Sequence, residues 1–180
     1  MMNVNEKILG DERRRLIVDT LQASEKPITG RVLGEMTNVS RQVIVGDITL
    51  LKAKNVPIVA TSQGYIYMPI QAIPEKIEKT IVCRHTPEQT IDELNILVDN
   101  GVTVKNVKIE HPVYGDLSAS IMVSNRNEVK EFIKRIQEAD ATYLSMLTEG
   151  GIHLHTIMAE EEDQIKNAEK ALKKAGILVD

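Results

Sequence analysis

The stretch Gly150-Gly151-Ile152-His153-Leu154-His155-Thr156-Ile157 places two of the chain's four histidines at i and i+2 in a run that reads as strand. Successive side chains of a strand point to opposite faces, so His153 and His155 share a face, about 6.5 to 7 Å apart along the backbone. Two imidazoles so placed can close on one metal ion, or they can simply decorate a polar edge strand. Which of these holds depends on the fold around them.

Upstream of this strand, Asn125 caps a helix carrying Val129, Phe132, Ile133 and Ile136; downstream, residues 164–175 form a last helix that stops at Gly176. Residues 102–111 and 117–123 alternate as strands around the turn Pro112-Val113-Tyr114-Gly115. Before them, Thr86-Pro87-Glu88-Gln89 is a capping box opening a helix that buries Ile91, Leu94 and Val98 and ends at Asn100-Gly101. A strand over 79–85 ends at His85. The order is β-α-β-β-α-β-α, an open-faced sandwich of the ferredoxin-like or HPr-like kind. In either, strands distant in sequence become neighbours, and His85 comes beside His153 and His155.

The first 70 residues follow another plan. A helix opens at the cap candidate Asp11 and carries Leu16, Ile17, Thr20 and Leu21; a second starts at Thr29 and buries Val32, Leu33 and Met36. Ser40 caps a third, running to Lys54 with Ile44, Ile48 and Leu51 inside. Residues 56–60 and 65–68 then form a hairpin, so the module is a winged helix-turn-helix. Its third helix leaves Arg41, Gln42, Val43 and Gly46 on or beside the outer face near its start, where a recognition helix meets base edges in the major groove. Arg13, Arg14, Arg15, Lys52 and Lys54 suit phosphates. The alternative is a winged helix used for protein contacts.

Composition bounds the rest. With 180 residues, 42% apolar and 27% charged, the chain is an ordinary globular protein of one large or two small domains. Residues 1–70 hold nine Lys and Arg against seven Asp and Glu, whereas 71–180 hold thirteen against nineteen, so the halves meet different partners. No apolar run approaches the roughly 18 residues of a membrane span, and the start lacks the layout of a secretory signal. A cytoplasmic location is expected. Cys83, the single cysteine, makes no internal disulfide and reads as a buried strand residue. The prolines of 68–74 place a linker there, giving domains 1–70 and 71–180.

The phrase Val39-Ser40-Arg41-Gln42-Val43-Ile44, with Asp47-Ile48 and Leu51, resembles the helix-turn-helix of bacterial regulators that sense small molecules or biotin. Together, Cys83-Arg84-His85-Thr86, His111-Pro112-Val113-Tyr114-Gly115 and the opening stretch resemble the niacin-responsive transcriptional repressors with a three-histidine (3H) domain, over essentially the whole chain. The resemblance implies a repressor of niacin uptake and NAD biosynthesis genes that binds its operator when nicotinic acid occupies an HPr-like second domain. It also implies one divalent transition metal per chain, held by His85, Glu93, His153 and His155. Zinc, nickel and iron all accept such a donor set. A homodimer on a palindromic operator is expected.

Two points resist this carry-over. On a helical wheel Glu93 lies about 100° from the middle of the Ile91, Leu94, Leu97 and Val98 face, and Glu88 and Asp92 compete with it. His111 reads either as an effector contact, with Tyr114 or Arg84 nearby, to nicotinic acid or a related pyridine, or as a strand-end histidine orienting a turn. The rival function is a metal-dependent hydrolase-like enzyme fused to a DNA-binding module. It lacks a second acid/base pair near the motif, because Glu149 and Glu160 read as solvated charges; no enzyme is expected.

Overall fold

Short polar residues set the helix starts in the computed structural model, which describes residues 9–68 and 76–179. Thr29 accepts from the Val32 N–H and opens α2, Gly30–Thr37; Ser40 accepts from the Val43 N–H and opens α3, Arg41–Ala53. Each oxygen satisfies an otherwise orphaned donor of the first turn, worth about 1 kcal/mol. Between the helices Asn38 takes left-handed backbone at φ 52°, which asparagine tolerates. The first helix, α1, is Gly10–Gln22, with Leu9 as its boundary residue. Asp11 is therefore not the cap but part of the first turn, where its charge complements the helix dipole.

Ile17 and Leu21 of α1 pack with Leu33 of α2 and with Ile44, Ile48 and Leu51 of α3. Each such side chain contributes about 1.5 to 3 kcal/mol by leaving water. The hairpin β1, Ile58–Thr61, and β2, Gly64–Tyr67, closes this core with Ile58, and Tyr65 bridges back to Ile28. Gly64, at φ 135°, is required there because a Cβ would run into the Ile28 backbone. Leu33 is buried as expected, whereas Val32 and Met36, also expected inside, are exposed, and Gly34 and Thr37 face inward. Gly34 lies so close to the Val39 carbonyl that no Cβ fits, and this approach turns the Val32 and Met36 side of α2 outward.

Contacts divide the chain into two units, Met1–Ile73 and Pro74–Asp180. The linker expected at 68–74 lies outside the described residues from 69 onward. The second unit runs β3 Ile77–Arg84, a 3-10 turn Pro87–Gln89 leading into α4 Thr90–Asp99, β4 Thr103–His111, β5 Gly115–Val123, α5 Arg126–Glu138, β6 Ile152–Ala159 and α6 Glu162–Lys174. This is the β-α-β-β-α-β-α order, and the chain is α+β as expected. The sheet order is β3-β6-β4-β5 with all neighbours antiparallel. The last strand therefore lies between the first and second, as in the HPr-like alternative. Ile81, Cys83, Leu94, Val104, Ile157 and Leu172 belong to its core, between the sheet and the helices. No described helix is long and apolar enough to cross a membrane.

Candidate metal centre

Strand β6 sends His153 and His155 to the helix-covered face, in line with buried Ile157. Its neighbour β3 sets Cys83 opposite His153, so His85, just past the strand end, arrives beside the pair. The ring centroids of His85 and His153 are 4.8 Å apart and those of His153 and His155 4.9 Å apart. Gly151, at φ 74°, permits this closure, because a Cβ there would strike the His85 carbonyl oxygen. Helix α4 adds Glu93, which is 1% exposed. Its Oε2 lies 2.8 Å from His85 Nε2 and 3.2 Å from His155 Nε2, and its Oε1 3.2 Å from His153 Nε2.

The other nitrogen of each ring is already committed. His85 Nδ1 lies 2.7 Å from the Thr86 carbonyl oxygen, His153 Nδ1 2.8 Å from that of Gly151, and His155 Nδ1 2.7 Å from that of Asn106. A carbonyl oxygen only accepts, so each Nδ1 must carry the proton, and in a neutral ring Nε2 is then a bare lone pair. Three lone pairs thus point at a carboxylate that is itself an acceptor. Positive charge must lie among them. Three buried imidazolium rings around one carboxylate would leave excess charge out of water, which is costly. A divalent cation instead takes three neutral nitrogens and one carboxylate as ligands, and Nδ1-to-carbonyl bonds are how metal-binding histidines are oriented. Donor atoms of His85, Glu93 and His153 lie within 4.8 Å of one another. These three fit a metal ion, and His155, outside that group, brings its Nε2 to 3.2 Å from the Glu93 carboxylate.

The protonation tendencies of the metal-free cluster agree. Burial alone would push the Glu93 carboxyl up, but the charge of His155 and the hydrogen bonds of the three imidazoles outweigh it and hold the group well below its ordinary range. Burial disfavours charged His85 and His155, yet Glu93 more than compensates, and both rise above the ordinary 6.5. Burial, reinforced by the Glu93 charge, pushes the Cys83 thiol far up, so it stays a neutral thiol beside the cluster.

Glu93 corrects the helical-wheel expectation. The inward face of α4 is Thr90, Glu93, Leu94, Leu97 and Val98, whereas Ile91 is 40% exposed. Counting Ile91 as inward had drawn the centre of the face away from Glu93. Glu88 and Asp92 are exposed and do not join the cluster. The Asn106 carbonyl that orients His155 sits at a bulge in β4, a feature that no residue pattern announced.

His111 and Tyr114 stand elsewhere, at the β4–β5 turn. The His111 Nδ1 accepts from the N–H groups of Val113 and Tyr114, both at 3.2 Å, and the two rings lie 4.9 Å apart. The histidine orients the turn. Neither residue lines the cleft of about 500 Å³ that opens beside His85, whereas Arg84 does. Of the three expected effector contacts, the structure places one at a cavity.

On the first unit, Arg41, Gln42 and Gly46 are exposed on α3, and Val43 is half-buried. Nothing lies within 4 Å of where a Gly46 Cβ would be, so this side of the helix is open to a partner. Arg15, Lys52 and Lys54 are exposed as a phosphate role demands. Arg13 is not. It is buried, with its Nε donating to Asp47 Oδ2 at 2.6 Å, and Arg14 is half-buried with its guanidinium donating to Asp47 Oδ1 at 3.0 Å. Asp47 lies on the inner face of α3, and a buried carboxylate without a partner would cost several kcal/mol, which turns Arg13 inward.

Comparison with known proteins adds two domain matches and two close relatives. An HTH domain matches residues 13–66 and the 3H domain matches residues 78–180. The chain is 55% identical to a transcription repressor, NadR, of Bacillus subtilis over 96% of each chain. It is 37% identical to a probable transcription repressor, NiaR, of Thermotoga maritima over 97% of each chain.

Proposed function

The chain belongs to the family of transcription repressors that carry a helix-turn-helix ahead of a 3H domain, and on that premise we propose that it represses genes of niacin uptake and NAD synthesis with nicotinic acid as co-repressor. It is not an enzyme: the relatives are transcription repressors, and the hydrolase alternative falls with that. Under this reading residues 1–70 bind the operator and residues 71–180 sense the metabolite.

One observation supports a metal in the sensor above all others: three imidazole lone pairs converge on one buried carboxylate. His85, Glu93, His153 and His155 would hold one divalent ion per chain, whether zinc, nickel or iron. Once bound, the ion supplies the positive charge that these four acceptors lack. On DNA, Arg41, Gln42, Val43 and Gly46 face base edges, while Arg14, Arg15, Lys52 and Lys54 take phosphates. Two copies match a palindromic operator.

Nicotinic acid acts by binding the DNA-competent state better than the other, and linkage requires operator DNA to tighten nicotinic acid by the same factor, about 5- to 150-fold for typical coupling. A gel-shift at fixed salt, with and without nicotinic acid, tests the effector; an unchanged operator affinity sinks it. Elemental analysis of the full chain tests the ion. About one metal per chain is expected, and protein that neither carries nor gains one on adding zinc or nickel overturns the metal centre.

A further inference from the structure

We propose that the cleft beside His85 binds a small aromatic monocarboxylate, with the Arg84 guanidinium and the Ser145 hydroxyl holding its carboxylate. This rests on the reading of the second domain as a sensor and names where, and through which groups, the acid is taken.

The cleft, about 500 Å³, falls within the range of small-molecule sites, roughly 300 to 1,000 Å³. Arg84 is the one fully charged side chain lining it, and no acidic side chain shares the lining. Its guanidinium, on the exposed last residue of β3, has no ion-pair partner among the described residues. Ser145 lines the cleft while only 7% exposed, and its hydroxyl has no hydrogen-bond partner among the described residues. The neighbouring Thr148 hydroxyl, by contrast, reaches the Ser145 and Ile152 carbonyl oxygens at 2.9 and 2.8 Å. That hydroxyl is not sealed from the cleft, so it can donate to an oxygen of a bound ligand.

The remaining lining fixes the rest of the ligand. Gln89 spends its Oε1 on the Thr86 N–H at 3.2 Å, which leaves its amide N–H groups to donate. Pro87 and Met146 offer apolar surface to a flat ring. A single guanidinium with neutral donors suits a monoanion rather than a phosphate, and a charge-assisted bond to arginine favours an acid over its amide. His85 belongs both to this cleft and to the cluster around Glu93, so occupancy of one adjoins the other through a single ring.

The test is calorimetry on the full chain with nicotinic acid, nicotinamide and benzoic acid, using wild type, Arg84→Gln, Ser145→Leu, Ser145→Ala and, as control, His111→Ala. Arg84→Gln should weaken the acids about ten- to a hundredfold and erase their advantage over the amide. Ser145→Leu should abolish binding by filling the cleft, and Ser145→Ala should weaken it several-fold even if the larger side chain is not accommodated. The His111→Ala variant should bind as wild type. If wild type binds nicotinic acid and the Arg84 and Ser145 variants bind it equally well, the cleft is the wrong place while the sensor reading stands. If benzoic acid binds through Arg84 and nicotinic acid does not, the cleft stands and nicotinic acid is the wrong effector. Failure of both acids to bind wild type overturns the cleft.

Discussion

Each half of the molecule buries a carboxylate, and their surroundings differ in kind. Asp47 meets two guanidiniums, which never give up their protons and present only donors. That cluster is complete as it stands. Glu93 meets three imidazoles whose donors are spent on backbone carbonyls, so four acceptors face one another. That cluster is complete only with added positive charge. A buried carboxylate therefore marks a pin when its partners are arginines and a receptor when they are histidines oriented from behind.

The heaviest blow to this contrast would come through Asp47. Its replacement by alanine strands two arginines, one of them buried, and should cost the first unit about 3 to 5 kcal/mol. Hydrogen exchange in α1 and α3 reads the loss, with metal content unchanged; a loss under about 1 kcal/mol would mean the pin is not one.

Next in size, Glu93→Gln or His153→Ala should lower metal affinity at least about a hundredfold, since outlying partners of metal ligands alone are worth about 10- to 100-fold. Competition with a chromophoric chelator measures it. Unaltered affinity in either variant removes that residue from the ligand set.

Acidity separates the clusters more finely. In chelated protein, His85 and His155 lie above their ordinary 6.5, so their contribution is full below about pH 6.5 and is lost as pH climbs through their folded values. Glu93 lies below its ordinary 4.5, and its contribution is lost as pH falls through the folded value. The metal-free second unit should thus weaken as pH rises above about 6.5, whereas the loaded protein should strengthen, because the ion displaces imidazole protons. Thermal melts with chelator and with zinc would show slopes of opposite sign; parallel slopes would count against the receptor.

Smallest is the effect of Arg15→Ala, which should weaken operator binding uniformly and reduce the salt slope by about 1. Arg13→Ala should leave that slope alone and destabilise the first unit instead. A slope change for Arg13 would show that it reaches phosphate after all.

The caps made much of the fold legible. Thr29, Ser40 and Asn125 each accept the hydrogen bond that their position promised, and local chemistry of this kind lies within three residues of sequence. The His-x-His strand was legible for the same reason. Asp47 was not, and Glu93 entered only through the family resemblance, because a charged residue in a helix reads as solvent-facing until its partners are known, and beyond nearby His85 those partners stand 34 and 60 residues away. Val32, Met36 and Ile91 failed by the converse logic: apolar character was taken for burial, while backbone approach at Gly34 and the histidine cluster at Glu93 decided which face turned in.

That separation of 60 residues between Glu93 and His153 has a temporal side. During synthesis His85 and Glu93 emerge together, on a strand end and a helix, long before β6 exists to meet them. If the proposed ion binds, it would tie the final strand to the first strand of the second unit across this span, acting as a reversible staple that closes a loop otherwise paid for in chain entropy. Metal supply would then govern how quickly newly made repressor matures as well as whether it can respond.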